Sequence, residues 1–220
     1  PKTDPDIPAN YSWRSLAGKA VCKAEMQKTA GLNEDPDVPV VAMISRLAEH
    51  KGFDIVKFGI DGIMQNNNIQ FILLGTGDSE TEQFFRDFAA RYPGRAAALI
   101  KYDRKLSKQI YAGADIFLMP SKSEACGLAQ MIASRYGTVP VVHEVGGLYD
   151  TIKPYGAGGN GFTFAAYNAD DMGNVIYQAT ELYKDKEAWK KLVRKIMRID
   201  FSWKASAEKY VGLYEKVINQ

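Results

Sequence analysis

Five short apolar runs, Val38–Ile44, Ile69–Leu74, Ala97–Ile100, Asp115–Met119 and Val139–Val142, recur along the chain. Each leads into a loop of glycine, serine or charged residues, and after most of these loops apolar side chains return at helical spacing. Runs of this length without polar alternation suit strands covered on both faces, which is the environment of a parallel sheet. Strand, loop and helix repeated in this order predict an α/β fold, a Rossmann-like parallel sheet with helices on both faces and right-handed crossovers. In such a sheet ligands gather outside the carboxyl ends of the strands, so the loops that follow the runs become the candidate site.

Composition narrows the partners. The 220 residues are 46% apolar and 25% charged with a net charge of +2, ordinary for a globular protein, so neither nucleic acid nor a membrane surface is an expected partner. Any phosphate should be bound by local geometry. Two cysteines, Cys22 and Cys126, and two isolated histidines give no disulfide framework and no metal-ligand spacing, so no metal and no other cofactor is expected and the setting reads as reducing and cytoplasmic. The chain opens on Pro1 rather than methionine, which fits a fragment or processed product.

Residues 1–11, punctuated by Pro5 and Pro8, read as a linker or surface loop. Ser12 is the expected cap of a helix beginning at Trp13, with Leu16, Ala17, Ala20, Ala24 and Met26 as its apolar face and Gly31 as its end. Residues 12–200 form the expected Rossmann-like domain, with Gly161–Phe164 as a short edge strand near its end. Helical patterns cover 169–183 and 186–198, and residues 201–220 carry a terminal helix running over 203–218.

Met119–Gln130, reading MPSKSEACGLAQ, stands where the fourth run gives way to the helical pattern Leu128, Met131, Ile132 and Tyr136. Serines, a carboxylate and a glycine at such a junction suit a phosphorylated, hydroxyl-rich ligand; they also suit a plain helix cap made by Ser121 or Ser123 with Glu124 at the positive end of the dipole. Arg46 and Lys51, in the loop after the first run, could neutralise a diphosphate or pair on the surface with Glu49 or Asp54. Gly75 and Gly77 make half of a dinucleotide fingerprint, but Glu80 occupies the place of the third glycine. Tyr102 could stack on a nucleobase or pack on the rim. His50 and His143 lack the neighbours of a catalytic dyad, and Cys126 has no adjacent histidine to act as its base.

Four segments taken together, SRLAEHKGFD at 45–54, PSKSEACGLAQ at 120–130, YGTVPVVHEVGGLYDT at 136–151 and DFSW at 200–203, resemble the bacterial glycogen synthases and plant starch synthases. The resemblance spans nearly the whole chain in order. It implies the carboxyl-terminal, donor-binding half of a GT-B glycosyltransferase, an enzyme that moves glucose from ADP-glucose to the non-reducing end of an α-1,4-glucan with retention. On matching positions it implies that Arg46 and Lys51 hold the donor diphosphate and that Glu124 contacts the transferred glucose. It likewise implies that Cys126, Gly127 and Leu128 turn their backbone amides to the donor, that Tyr102 lies against the adenine, and that Gly146 and Gly147 close near the sugar. Ala125 and Ala129 depart from the family pattern, which usually has proline and a polar residue there, and Ile132 stands where related enzymes often carry a second glutamate.

The glucan acceptor, on this resemblance, engages mainly an amino-terminal domain with no counterpart among these motifs. The isolated chain is therefore expected to be inactive, with its helix at 201–220 crossing to that domain. Two rival readings are a non-catalytic nucleotide or glucan binding module and a dinucleotide-dependent oxidoreductase domain.

Overall fold

A computed structural model describes residues 1–218. Strands β1 (Val40–Ile44), β2 (Gln70–Leu74), β3 (Ala96–Leu99), β4 (Ile116–Met119), β5 (Val139–His143) and β6 (Phe162–Phe164) form one sheet in the order β3-β2-β1-β4-β5-β6. Every neighbouring pair is parallel. Alternate residues of each strand feed opposite layers: Val41, Met43, Phe71 and Leu73 belong to one buried cluster, Val40, Ala42, Ile72 and Leu74 to the other. A sheet buried on both faces explains why the strands read as unbroken apolar runs. The order reverses between β1 and β4, so the loops that follow these two strands diverge and leave a crevice at their carboxyl ends.

Nine helices occur among the described residues: α1 (Ala17–Ala30), α2 (Phe53–Asn66), α3 (Ser79–Arg91), α4 (Arg104–Gly113), α5 (Ala129–Arg135), α6 (Gly146–Thr151), α7 (Ala169–Lys184), α8 (Lys186–Ile196) and α9 (Trp203–Ile218). Side chains of Asp78, Asp103, Asn168 and Asp185 accept from first-turn amides and start α3, α4, α7 and α8. None of the helices is long and apolar enough to cross a membrane. No residue of α9 is buried, and positions 219 and 220 of the expected terminal helix lie outside the described residues.

Helix α1 departs from expectation in both its start and its face. Ser12 and Ser15 exchange backbone hydrogen bonds of 3.0 Å in a tight turn, so Ser12 does not cap and the helix begins four residues after Trp13, at Ala17. Its buried side is polar: Lys19, Lys23 and Gln27 lie inward with Cys22 and Met26, while Ala17, Ala20 and Ala24 are exposed. The reason is hydrogen bonding. Lys19 Nζ donates to Ala112 O (3.0 Å), Ala114 O (2.8 Å) and Thr138 Oγ1 (3.1 Å), and Lys23 Nζ meets Asp115 Oδ2 (2.8 Å), Val38 O (2.7 Å) and Tyr183 Oη (2.8 Å). A buried cation is tolerated when its donors are all taken. Residues 1–11 lack regular structure but do not hang free, because Ile7 and Tyr11 are buried and Lys108 bridges Asp4 (3.1 Å) and Asp6 (2.6 Å).

Loss of water pushes the Lys19 ammonium down from 10.5 to about 8, with Asp115 opposing incompletely. Between those two values the unfolded chain binds more protons than the folded one, so the contribution of Lys19 to stability rises with pH across that window and is level below it. Urea titrations should therefore show wild type gaining on Lys19→Met between pH 8 and pH 10.5. Stability curves that stay parallel throughout would contradict this account.

Candidate functional site

The loops after five of the strands meet at one edge of the sheet. Arg46, just beyond β1, is exposed, and its guanidinium makes no hydrogen bond or ion pair among the described residues. The surface pairing with Glu49 or Asp54 is absent; Asp54 instead accepts from the Tyr167 hydroxyl, whose titration burial pushes upward. Lys51 closes a 3₁₀ turn (Glu49–Lys51) and is followed by Gly52 at φ 79°, where a Cβ would lie 1.9 Å from the Pro120 carbonyl oxygen. Only glycine permits that approach. It brings Lys51 Nζ to 2.5 Å from Glu124 Oε2, with the two side chains 19% and 13% exposed. Ser121, buried, offers its hydroxyl to the same oxygen at 3.4 Å, and its carbonyl lies 2.8 Å from His143 Nδ1. His143 is thus a buried structural group, packed at a tilt against Phe164 and Tyr167.

Two hollows of 240 Å³ each flank Arg46 and share Ile44 and Ser45 with it. Lys51, Ser121, Glu124, Gly127 and Leu128 line one; Gly75, Thr76, Tyr102 and Asp103 line the other. Tyr102 is 89% exposed, so rim packing does not hold it and its ring is free to cover a ligand. The Leu106 amide and then Lys101 hold the Asp103 carboxyl below the usual carboxylate range, keeping that corner anionic. Gly75 and Gly77 have a structural reason of their own, apart from any dinucleotide loop. A Cβ on them would lie 1.9 Å from Ser45 O and 2.3 Å from Leu47 O, and Leu47 N donates to Thr76 O (2.9 Å), so these glycines seat the Arg46 loop against the loop after β2.

The segment from Glu124 to Leu128 is held by the double glycine after β5 and by the first turn of its own helix. Gly147 N donates to Glu124 O (3.0 Å), and Cβ atoms on Gly146 and Gly147 would come within 2.0 Å of Glu124 O and 2.1 Å of Cys126 O. The double glycine therefore supports the Glu124 loop from the side, whatever else it faces. Gln130, fully buried, donates through Nε2 to Cys126 O (3.1 Å), Gly127 O (2.9 Å) and Thr151 Oγ1 (3.1 Å). With Gly127 at φ 72°, the amides of Cys126, Gly127 and Leu128 have no acceptor among the described residues. A helix cap by Ser121 or Ser123 does not form, since α5 begins after Leu128 without a side-chain cap. The apolar face read for α5 is also out of phase: Leu128 and Ile132 are 68% and 40% exposed, while Gln130, Ala133 and Ser134 are buried. Gln130 escaped sequence reasoning because a polar side chain at helical spacing counts as solvent-facing. Among the described residues no group of three or more acids, histidines or cysteines is placed to hold a metal.

Residues 25–196 match the family described as glycosyl transferases group 1. The chain belongs to that family. It is 45% identical over 223 residues to the glycogen synthase of Clostridium beijerinckii, covering all of this chain and 46% of that protein. Against the glycogen synthase of Bacillus subtilis it is 43% identical over 220 residues, 99% of this chain and 46% of the other. The chain thus spans about half the length of the curated relatives it matches. The solved catalytic domain of starch synthase IV from Arabidopsis thaliana, bound to ADP and acarbose, superimposes with a TM-score of 0.90 at 35% identity, covering 100% of this chain and 47% of that one. Sucrose-phosphate synthase from Thermosynechococcus elongatus, at 22% identity and a TM-score of 0.67 over 97% of this chain and 52% of its own, shares the fold. The Rossmann-like sheet is that of a GT-B glycosyltransferase.

The support given by Gly147 can be measured. A methyl group 2.1 Å from Cys126 O must displace the loop, so Gly147→Ala should cost roughly 1–3 kcal/mol in urea unfolding and speed or slow maleimide labelling of Cys126, the exposed thiol, while Cys22 stays unlabelled until the chain unfolds. Unchanged stability together with unchanged Cys126 reactivity would mean that the loop does not rest on that glycine.

Proposed function

We propose that this chain is the donor-binding part of a retaining glucosyltransferase of the glycogen and starch synthase type, acting on ADP-glucose and an α-1,4-glucan. The observation that carries the proposal is a guanidinium, Arg46, without a partner among the described residues, at the joint of two hollows. That layout fits a ligand with a nucleobase at one end, a sugar at the other and a diphosphate between. Adenine would occupy the hollow beside Tyr102, and glucose the hollow beside Glu124. The relatives support the same assignment, since they are glycogen synthases and a starch synthase bound to ADP.

The chemistry follows from charge. Breaking the bond between the anomeric carbon and the phosphate oxygen sends its electron pair to the departing ADP and leaves positive character on glucose. Arg46, Lys51 and the free amides of Cys126, Gly127 and Leu128 face the growing negative charge in a fixed arrangement, which is where electrostatic stabilisation is most effective. The acceptor hydroxyl bonds to the anomeric carbon on the face that ADP leaves, and its proton passes to the phosphate oxygen. Glu124 is engaged by Lys51 and Ser121, which suits orienting sugar hydroxyls rather than attacking carbon. Gly146 and Gly147 set the height of that carboxylate. Helix α9, with Tyr210, Leu213, Tyr214 and Val217 each more than half exposed, would cross to an amino-terminal partner domain that carries most of the acceptor contacts. Without that domain the chain should hold donor and transfer nothing. The proposed setting is the cytoplasm.

Calorimetry with ADP tests this. The chain should bind ADP, and Arg46→Ala should weaken binding roughly ten- to hundredfold, the range expected for a hydrogen-bonded charge, with no elongation of maltooligosaccharide by the chain alone. Unaltered ADP affinity in Arg46→Ala, or measurable elongation by the isolated chain, would refute the assignment.

A further inference from the structure

On the flank of the domain, away from the donor hollows, a groove of 600 Å³ runs between α2 and α7. Its floor is glycine: Gly59 lies under Ala169, where a Cβ would come to 3.0 Å, and Gly173 lies under Ile63, where a Cβ would come to 3.5 Å. Those two contacts share one register, so the helices run parallel. Position 67 is then level with Tyr177, nine residues beyond Phe58, which separates the two aromatics by about 13 Å along the axis at 1.5 Å per residue. Phe58 is 83% and Tyr177 52% exposed, an unusual outlay of aromatic surface at the two ends of one depression.

Between them stand amides with bonding capacity to spare. Asn66 and Asn67 each use one N–H on the backbone carbonyls of Gly62 and Ile63 (2.9 Å each), leaving their oxygens open. The Asn174 side chain and the Tyr177 hydroxyl make no hydrogen bond among the described residues. No cation lines the groove, and Asp170 is its one charged residue, so an anionic ligand is disfavoured. An apolar helix laid here would strand the amides without partners. A neutral ligand with apolar C–H faces for the aromatics and hydroxyls for the amides fits both parts of the lining.

We propose that this groove is a second carbohydrate site, which takes a stretch of α-glucan across Phe58 and Tyr177 and tethers the polymer to the domain outside the donor crevice. The sugar class rests on the function proposed above; the geometry of the groove does not. Because most acceptor contacts of the reaction are assigned to the partner domain, glucan binding that is lost on substitution in the groove reports the groove itself.

The experiment is a titration of the 220-residue chain with maltoheptaose and, separately, with ADP. Wild type should bind maltoheptaose saturably. The double variant Phe58→Ala/Tyr177→Ala should weaken that binding about tenfold or more and leave ADP affinity within about twofold. Gly62→Leu is a second variant, since a Cβ there meets nothing within 4 Å and the larger side chain favours the helix while filling the groove. It should weaken maltoheptaose binding alike. A wild-type chain that binds maltoheptaose but not ADP would sink the donor assignment and support the groove. Failure of wild type to bind maltoheptaose, equal binding by both variants, or a self-association in sedimentation that both variants abolish would overturn the proposal.

Discussion

Backbone touching backbone at glycine is the constraint on which the site depends. Five glycines, Gly52, Gly75, Gly77, Gly146 and Gly147, each lie where a Cβ would come within 2.3 Å of a carbonyl oxygen in another loop. Gly52 joins the loop after β1 to the end of β4, Gly75 and Gly77 join it to the loop after β2, and the double glycine joins the loop after β5 to Glu124 and Cys126. Strands fix where the loops start; these contacts fix where they finish. The result is one continuous surface that presents Arg46, Lys51 and Glu124 without needing a ligand to assemble it, which is the condition for electrostatic preorganisation.

Within that surface the charges are not equivalent. Lys51 and Glu124 satisfy one another at 2.5 Å, and neither is free to wander. Arg46 has no such partner among the described residues and keeps its full hydrogen-bonding capacity for an incoming anion. A planar fork suits a diphosphate better than a point charge does. The same economy appears at the opposite edge of the sheet, where Lys19 and Lys23 are buried and fully engaged with backbone oxygens and Asp115. Those lysines anchor α1.

Much of this was readable from residues alone, and the failures share a cause. The strand runs came through with ends shifted by a residue or two, because a sheet covered on both faces leaves a contiguous apolar signature. Arg46, Lys51, Tyr102 and Glu124, singled out on separate strand-end loops, do lie around two adjoining hollows, because a parallel sheet gathers those loops at one edge. Helix faces did worse. Periodicity assigned Ala20 and Ala24 inward in α1, and Leu128 and Ile132 inward in α5, whereas Lys19, Lys23, Gln27, Gln130 and Ser134 are buried. Lys19 and Lys23 are matched to carbonyls outside their helix, while Gln130 and Ser134 bond to carbonyls three or four residues back, and neither kind of partner shows in an apolar period. Gly75 and Gly77 were visible as a turn but ambiguous in purpose until the Ser45 and Leu47 carbonyls appeared beneath them.

The most direct measurement is amide chemical-shift mapping of the chain as ADP is added. The account predicts the largest changes in three stretches brought together from distant sequence: Ser45 to Lys51, Gly75 to Asp103 near Tyr102, and Glu124 to Leu128. Changes confined to one of these stretches, or centred on the flank between α2 and α7, would contradict a single donor surface built by the strand-end loops.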